Sequence, residues 1–349
     1  MILVGVIAHG AWTARKNLPK QATPPKIDGG QEFSATPGLE PGSSSPDAEG
    51  LQERHEPRFD TDAGLSALAQ LTAPEKKPAL DVLVDAIAPV VLESPVSGEA
   101  TLAVMPGTRR VGSKPFGVEG LNVQTGEWEF PAPGQRYSAF QCGVQLANRT
   151  GALNQIEYSE FVIKTQAFAD AVGGEVEFAE MQGEVARARE LDQFASTHDA
   201  QLSFTLRARK TAWSPGYVQQ SAASLGFVPA SIPGRMLLPA RQHGHGPVLG
   251  LSFDSQAAVA EDPEQTAVYE LSLSLDVSQV LRTEKPFERM CESAIALAGN
   301  MDGVLVDANA ILIRPEAMET IHADLQQLYD RLDARELSAG SVLGRRLFS

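Results

Sequence analysis

The second half of the chain carries the clearest alternation. In QLSFTLRAR (201–209), Leu202, Phe204 and Leu206 alternate with Ser203, Thr205 and Arg207, the period of a strand with one buried face. YELSLSL (269–275) repeats the pattern, burying Leu271, Leu273 and Leu275 and exposing Glu270, Ser272 and Ser274. Between them, TAWSPGYVQQSAASLGFV predicts a helix with Ser214 as N-cap, Pro215 at the first helical position and Gly226 just past the end. GRMLLPARQHGHGPVLGLSF reads as a hairpin around the loop PARQHGHG. The final helix places Met318, Ile321, Leu325, Leu328 and Leu332 on one stripe. The summed order is β-α-β-β-β-α-β-α, which predicts an α+β unit: an antiparallel sheet with helices on one face.

The folded part repeats itself. In YSAFQCGVQ…FADAVGGEVEF (137–178) and YELSLSL…GNMDGVLV (269–306), a tyrosine opens an alternating strand and a polar loop follows. Each then has a helix led by an aromatic (Phe161, Phe287) and a glycine (Gly174, Gly303) before a short apolar strand. The repeat predicts two units, 79–198 and 199–336, each a ferredoxin-like split βαβ arrangement, followed by a tail, 337–349. Pro89 inside the first strand makes that sheet harder to register. The tail ELSAGSVLGRRLFS is too short to fold alone; docking on a domain and contact with a membrane are both open to it.

Ahead of these units the pattern disappears. Residues 17–78 are rich in Pro, Gly, Ser and acid and read as a disordered linker, with one patch, PRFDTDAGLSALAQL (57–71), that spells a helical turn. The run Met1 to Trp12 is apolar except for His9 and stops at Arg15, Lys16, Lys20 and Lys26. A membrane-spanning helix needs about 20 apolar residues, so this run is short. Its basic flank follows the apolar run, opposite to a signal peptide, and holds that side in the cytoplasm. Two readings stand on these residues alone: the end of a truncated anchor (1–16, with Ile2, Leu3, Val4, Val6, Ile7 and Trp12 in the membrane), or a short buried strand.

Composition narrows the function. With 44 acidic and 29 basic residues in 349, the net charge of −15 disfavours nucleic acid as a partner. The two cysteines, Cys142 and Cys291, sit in apolar stretches and read as small buried hydrophobes. His243 and His245 form an H-x-H pair, but no carboxylate or cysteine lies nearby to complete a metal site, and a solvated loop is the plainer reading. Phosphate-loop, dinucleotide and nucleophile-elbow signatures are missing from the sequence. Asn148-Arg149-Thr150 matches a glycosylation acceptor, and Arg109, Arg110 and Lys114 form a small basic patch. Neither implies catalysis, so no enzyme, cofactor, metal or small-molecule substrate is expected.

Three segments carry a family resemblance. FADAVGGEVEF (168–178), VQQSAASLGFVPASIPGRMLLPARQHGHGPVLGLSF, and PFERMCESAIALAGNMDGVLVDANAILIRPEAMETIHADLQQLYDRL resemble the C-terminal domain of the ZipA-like bacterial cell-division proteins. The likeness covers roughly 200–335, and more weakly 80–197 as a degenerate second copy. The order of apolar stub, Pro-rich linker and globular part also matches that family. The resemblance implies a single-pass anchor in the bacterial inner membrane with the C-terminal domains cytoplasmic. It further implies septum assembly through the C-terminal peptide of FtsZ, held on the open face of the sheet. The alternative is the same fold serving a different septal partner, with the open faces of the two domains buried against each other.

By strand matching, the implied peptide face comprises Gln201, Ser203, Thr205, Arg207, Arg235, Glu270, Ser272 and Ser274, with Ile232 and Met236 supplying apolar surface. That face is far more polar than the family's.

Overall fold

The computed structural model describes residues 80–242, 244–260, 266–307 and 310–349. The expected anchor residues Ile2, Leu3, Val4, Val6, Ile7 and Trp12, the 17–78 linker and His243 lie outside these residues.

The chain is a mixture of helices and antiparallel sheet. β1 (Asp85–Ser97) turns Ala86, Ala88 and Val90 inward and leaves Pro89 and Val91 exposed. After α1 (Gly98–Ala103) come β2 (Arg110–Val111), β3 (Lys114–Asn122), β4 (Trp128–Glu129) and β5 (Arg136–Gln145). A small hairpin of β6 (Ala147–Asn148) and β7 (Gly151–Ala152) leads to α2 (Gln155–Val172), β8 (Gly174–Val176) and α3 (Met181–His198). The first sheet has the order β2-β3-β5-β1-β8, with β4 also paired to β3. Its core is aromatic: Phe116 meets Phe161, and Phe140 meets Phe168, edge to face with centroids 6.2 and 5.4 Å apart.

Pro89 sits in an interior strand without breaking it. Its carbonyl accepts Glu177 N–H just beyond the end of β8, so the missing proline N–H falls where no partner strand runs. The helix expected to be led by Phe161 begins earlier, at Gln155. Asn154 and Glu157 cap it reciprocally, and Phe161 lies in mid-helix against the sheet.

The second half follows as β9 (Gln201–Ala208), α4 (Pro215–Ala223), β10 (Val228–Pro229), β11 (Arg235–Leu238) and β12 (Leu249–Phe253). Next come α5 (Ser255–Ala258), β13 (Glu270–Asp276), α6 (Pro286–Met301), β14 (Gly303–Val306) and α7 (Pro315–Asp333). Its sheet has the order β10-β11-β12-β13-β9-β14. The two-residue edge strand β10 is one more than the alternation predicted. Met236, Leu251, Leu273 and Phe204 line up across four strands beneath the helices. Trp213 is fully buried and donates its indole N–H to Met301 O at 2.8 Å.

Strand for strand, β8-β1-β5-β3 runs in the same order as β14-β9-β13-β12, with helices in corresponding connections. The two equivalent glycines share a reason. A Cβ on Gly174 would lie 2.7 Å from Val90 Cγ1, and one on Gly303 would lie 2.7 Å from Leu206 Cδ1. Both sit where the edge strand starts, against a buried residue of the strand beside it.

The tail docks. Gly340 turns it with φ +73° and donates to Ser278 O at 2.9 Å. α8 (Val342–Leu347) then carries Leu347 and Phe348 into full burial. Gln145 of the first half donates to Arg346 O, and Gln279 of the second to Phe348 O, both at 2.7 Å. Arg346 pairs with buried Asp85, and Arg149 pairs across the junction with Asp199 and Asp276 at 2.7 Å. Residues 337–349 are therefore a wedge between the halves rather than a free end. Among the described residues no helix is long and apolar enough to cross a membrane.

Candidate interaction surface

The register of the second sheet defines its uncovered face. One row runs Arg235, Ser252, Ser272, Thr205 and Val306 across the strands, its β14 end closed because Val306 is buried and bridges Leu312, and the next runs Leu237, Gly250, Ser274 and Ser203. Glu270, Arg207 and Val304 form a third row, and Asp276 faces Gln201. Gln201, Ser203, Thr205, Arg207, Arg235, Glu270, Ser272 and Ser274 thus share one face, as the alternation predicted. The face is held by weak polar contacts: Ser203 Oγ and Ser272 Oγ lie 2.9 Å apart, and Arg207 Nε donates to Glu270 at 2.6 Å. Exposed ion pairs of this kind contribute about 0–1 kcal/mol.

Met236 does not belong there. It is 2 % exposed and packs inward, because its neighbour Arg235 points outward and side chains alternate along a strand. Leu237 takes the outward place, and Val304 of β14 joins it at the opposite margin. Ile232 lies apart in the turn between β10 and β11, 51 % exposed. Period two, applied strictly from Arg235, identifies Leu237 from sequence; Val304 needs the pairing of β14 with β9.

The open faces of the two sheets do not pack against each other. Ser203, Arg207, Glu270 and Ser274 stay exposed. The halves instead enclose a cleft of about 1190 Å³. Met105, Arg109 and Phe130 line one side, Val248, Ser274 and Val280 the other, and the tail residues Val342 and Arg345 also contribute. Arg109 lies over the Phe130 ring at 4.6 Å. Sequence reasoning missed this cleft, since no local pattern brings these segments together.

Burial dominates the titration of three groups in the fold. Burial pushes the Cys142 thiol up to about 12 and the Cys291 thiol to about 11, so both stay protonated at neutral pH. Burial also lowers Lys114, whose ammonium donates to Asn148 Oδ1 at 2.7 Å and to Gly151 O at 2.5 Å. This pins the β6–β7 hairpin and buries Asn148, the residue of the glycosylation-like triplet. Among the described residues no three His, Cys, Asp or Glu side chains are grouped to hold a metal. No protein-family model matches the sequence, and no curated protein matches it.

Proposed function

We propose that this chain is a membrane-tethered adaptor of the bacterial division ring that binds the C-terminal peptide of FtsZ and performs no chemistry of its own. In this reading its halves are tandem ferredoxin-like domains, 79–198 and 199–336, reached through the 17–78 linker from an inner-membrane anchor at 1–16. The observation that supports it most is the uncovered face of the second sheet, polar in the middle and apolar at its margins through Leu237 and Val304. Such a face accepts an extended or amphipathic peptide across its strands. Two of the three segments that carry the family resemblance coincide with α4 to β12 and with α6 to α7, and the third with the end of α2 and β8. A flexible tether raises the local concentration of such a site near the membrane, so modest affinity suffices.

The test is fluorescence anisotropy with a labelled FtsZ C-terminal peptide titrated with the full chain and with Leu237→Glu, Val304→Glu and Ile232→Glu. A hot-spot side chain contributes about 2 kcal/mol, so Leu237→Glu should raise Kd by roughly thirtyfold. Binding that none of the three changes would move the site off this face; no binding by the unmodified chain would end the reading.

A further inference from the structure

The described chain enters at the mouth of the cleft. Leu80 N–H donates to Glu119 Oε1 at 3.0 Å, and the Leu80 side chain lies across two strand positions that carry no side chain, Gly117 and Gly143. A Cβ on Gly143 would come within 2.5 Å of Leu80 Cδ2, and one on Gly117 within 3.4 Å. Leu80, Gly117 and Glu119 all line the cleft, so whatever precedes Leu80 departs from its edge.

The charges there are unequally matched. Asp85 is paired with Arg346, Glu119 with Leu80 N–H and Gln141, Asp276 with Arg149, and Glu129, beside Phe130, accepts from the Asn122 amide and the Tyr137 hydroxyl. Arg109, stacked on Phe130, makes no ion pair among the described residues. An occupant suited to this cleft is apolar along its length and acidic at the Arg109 side.

Such a segment lies close by in the same chain. PRFDTDAGLSALAQL (57–71) places Leu65, Leu68 and Leu71 at a spacing of three, with Asp60 and Asp62 ahead of them. Residues 72–79 connect it to Leu80 and, at 3.3–3.6 Å per residue, reach roughly 30 Å at most. A tether that short holds its cargo at an effective concentration on the order of millimolar.

We propose that the cleft is a docking groove for this chain's own segment 57–71. Leu65, Leu68 and Leu71 pack on Met105, Phe130 and Val248, and Asp60 and Asp62 approach Arg109. The groove is thus self-occupied, and any outside peptide must compete with a ligand carried in cis. This goes beyond the division reading and does not depend on it.

The experiment is photo-crosslinking in the full chain with Trp128→benzoylphenylalanine, a rim position 41 % exposed in the structure, followed by mass spectrometry. Ordinary and heavy-isotope chains are mixed in equal amounts, so products within a chain separate from products between chains. Crosslinks to 57–71 within one chain are expected. Adding Leu65→Asp and Leu68→Asp, which remove two of the three leucines proposed to dock, should cut their yield roughly tenfold or more. Crosslinks only elsewhere, products joining heavy to ordinary chains at 57–71, or a yield unchanged by the double substitution would each overturn the proposal.

Discussion

At the scale of single residues, buried carboxylates do opposite things. Glu284 is buried and accepts the N–H groups of Arg241 and Gln242 at 3.0 Å, while Arg289 pairs with it at 2.9 Å. Burial alone would raise its pKa, but these donors outweigh it and hold the carboxyl below 4.5. A depressed folded pKa means that the stabilisation is complete above the ordinary value and is lost as pH falls through the folded one. Asp85 is the reverse: burial outweighs Arg346 and raises it above 3.8, so it costs stability as pH climbs past that value. Glu284→Gln should therefore lose about 2–3 kcal/mol at pH 7. Urea denaturation at pH 7 and again well below pH 4.5 checks this, and the deficit should shrink in acid. An equal deficit at both would mean that shape, not charge, anchors the hairpin loop. Legibility at this scale was high where alternation ruled: Ser203, Thr205 and Arg207 point where the pattern puts them. It failed at Met236, where chemical type was allowed to override the period.

Elements were legible wherever both their period and their ends were written in the chain. α4 starts at Pro215 behind Ser214, whose hydroxyl accepts from Tyr217 N–H. α2 was misjudged at its start, although Asn154-x-x-Glu157 spells its capping box. Glu157 does more than cap, because it also accepts Ser113 N–H at 2.9 Å and Ser113 Oγ–H at 2.8 Å, tying the helix to the β2–β3 turn. Asn154→Ala should cost about 1 kcal/mol, the usual value of an N-cap. Glu157→Ala should cost about 2–3 kcal/mol, since it strands donors in two elements. Thermal melts of both variants decide whether the second role is real: equal losses would reduce Glu157 to a cap. The edge strand β10 escaped notice because two residues are too few to show a period. Gly303→Ala, which places a methyl within 2.7 Å of the Leu206 side chain, should cost about 1–3 kcal/mol as an overpacked site.

At the scale of the molecule, the wedge was illegible. Arg346 and Asp85 are 261 positions apart, and nothing local in LGRRLFS announces that Phe348 will be 1 % exposed. The shared tail also changes what separation of the halves should do. A 199–349 piece would leave Leu347, Phe348 and Arg346 facing the place where Asp85 and Gln145 stood, so it should be markedly less stable than its share of the full chain. Phe348→Ala should cost about 3–5 kcal/mol and uncouple the two halves. Urea unfolding followed by tryptophan emission and by circular dichroism tests that coupling. Transitions that stay coincident in the full chain but part in the variant are expected; a loss confined to one half would show that the wedge serves only that half.

β1 has a mechanical consequence. It runs inside the first sheet, paired on one side with β5 from Asp85 to Val91 and on the other with β8 from Val90 to Leu92, and the chain ahead of it arrives through Leu80. Tension applied through that incoming segment would meet the Leu80 clasp first, then the Asp85–Arg346 pair, and then load β1 along its own axis. Sliding a strand lengthwise requires its cross-strand hydrogen bonds to fail together, whereas peeling breaks them one by one. A pull along the β1 axis would therefore meet the shearing resistance of the sheet only after the small Leu80 clasp has yielded.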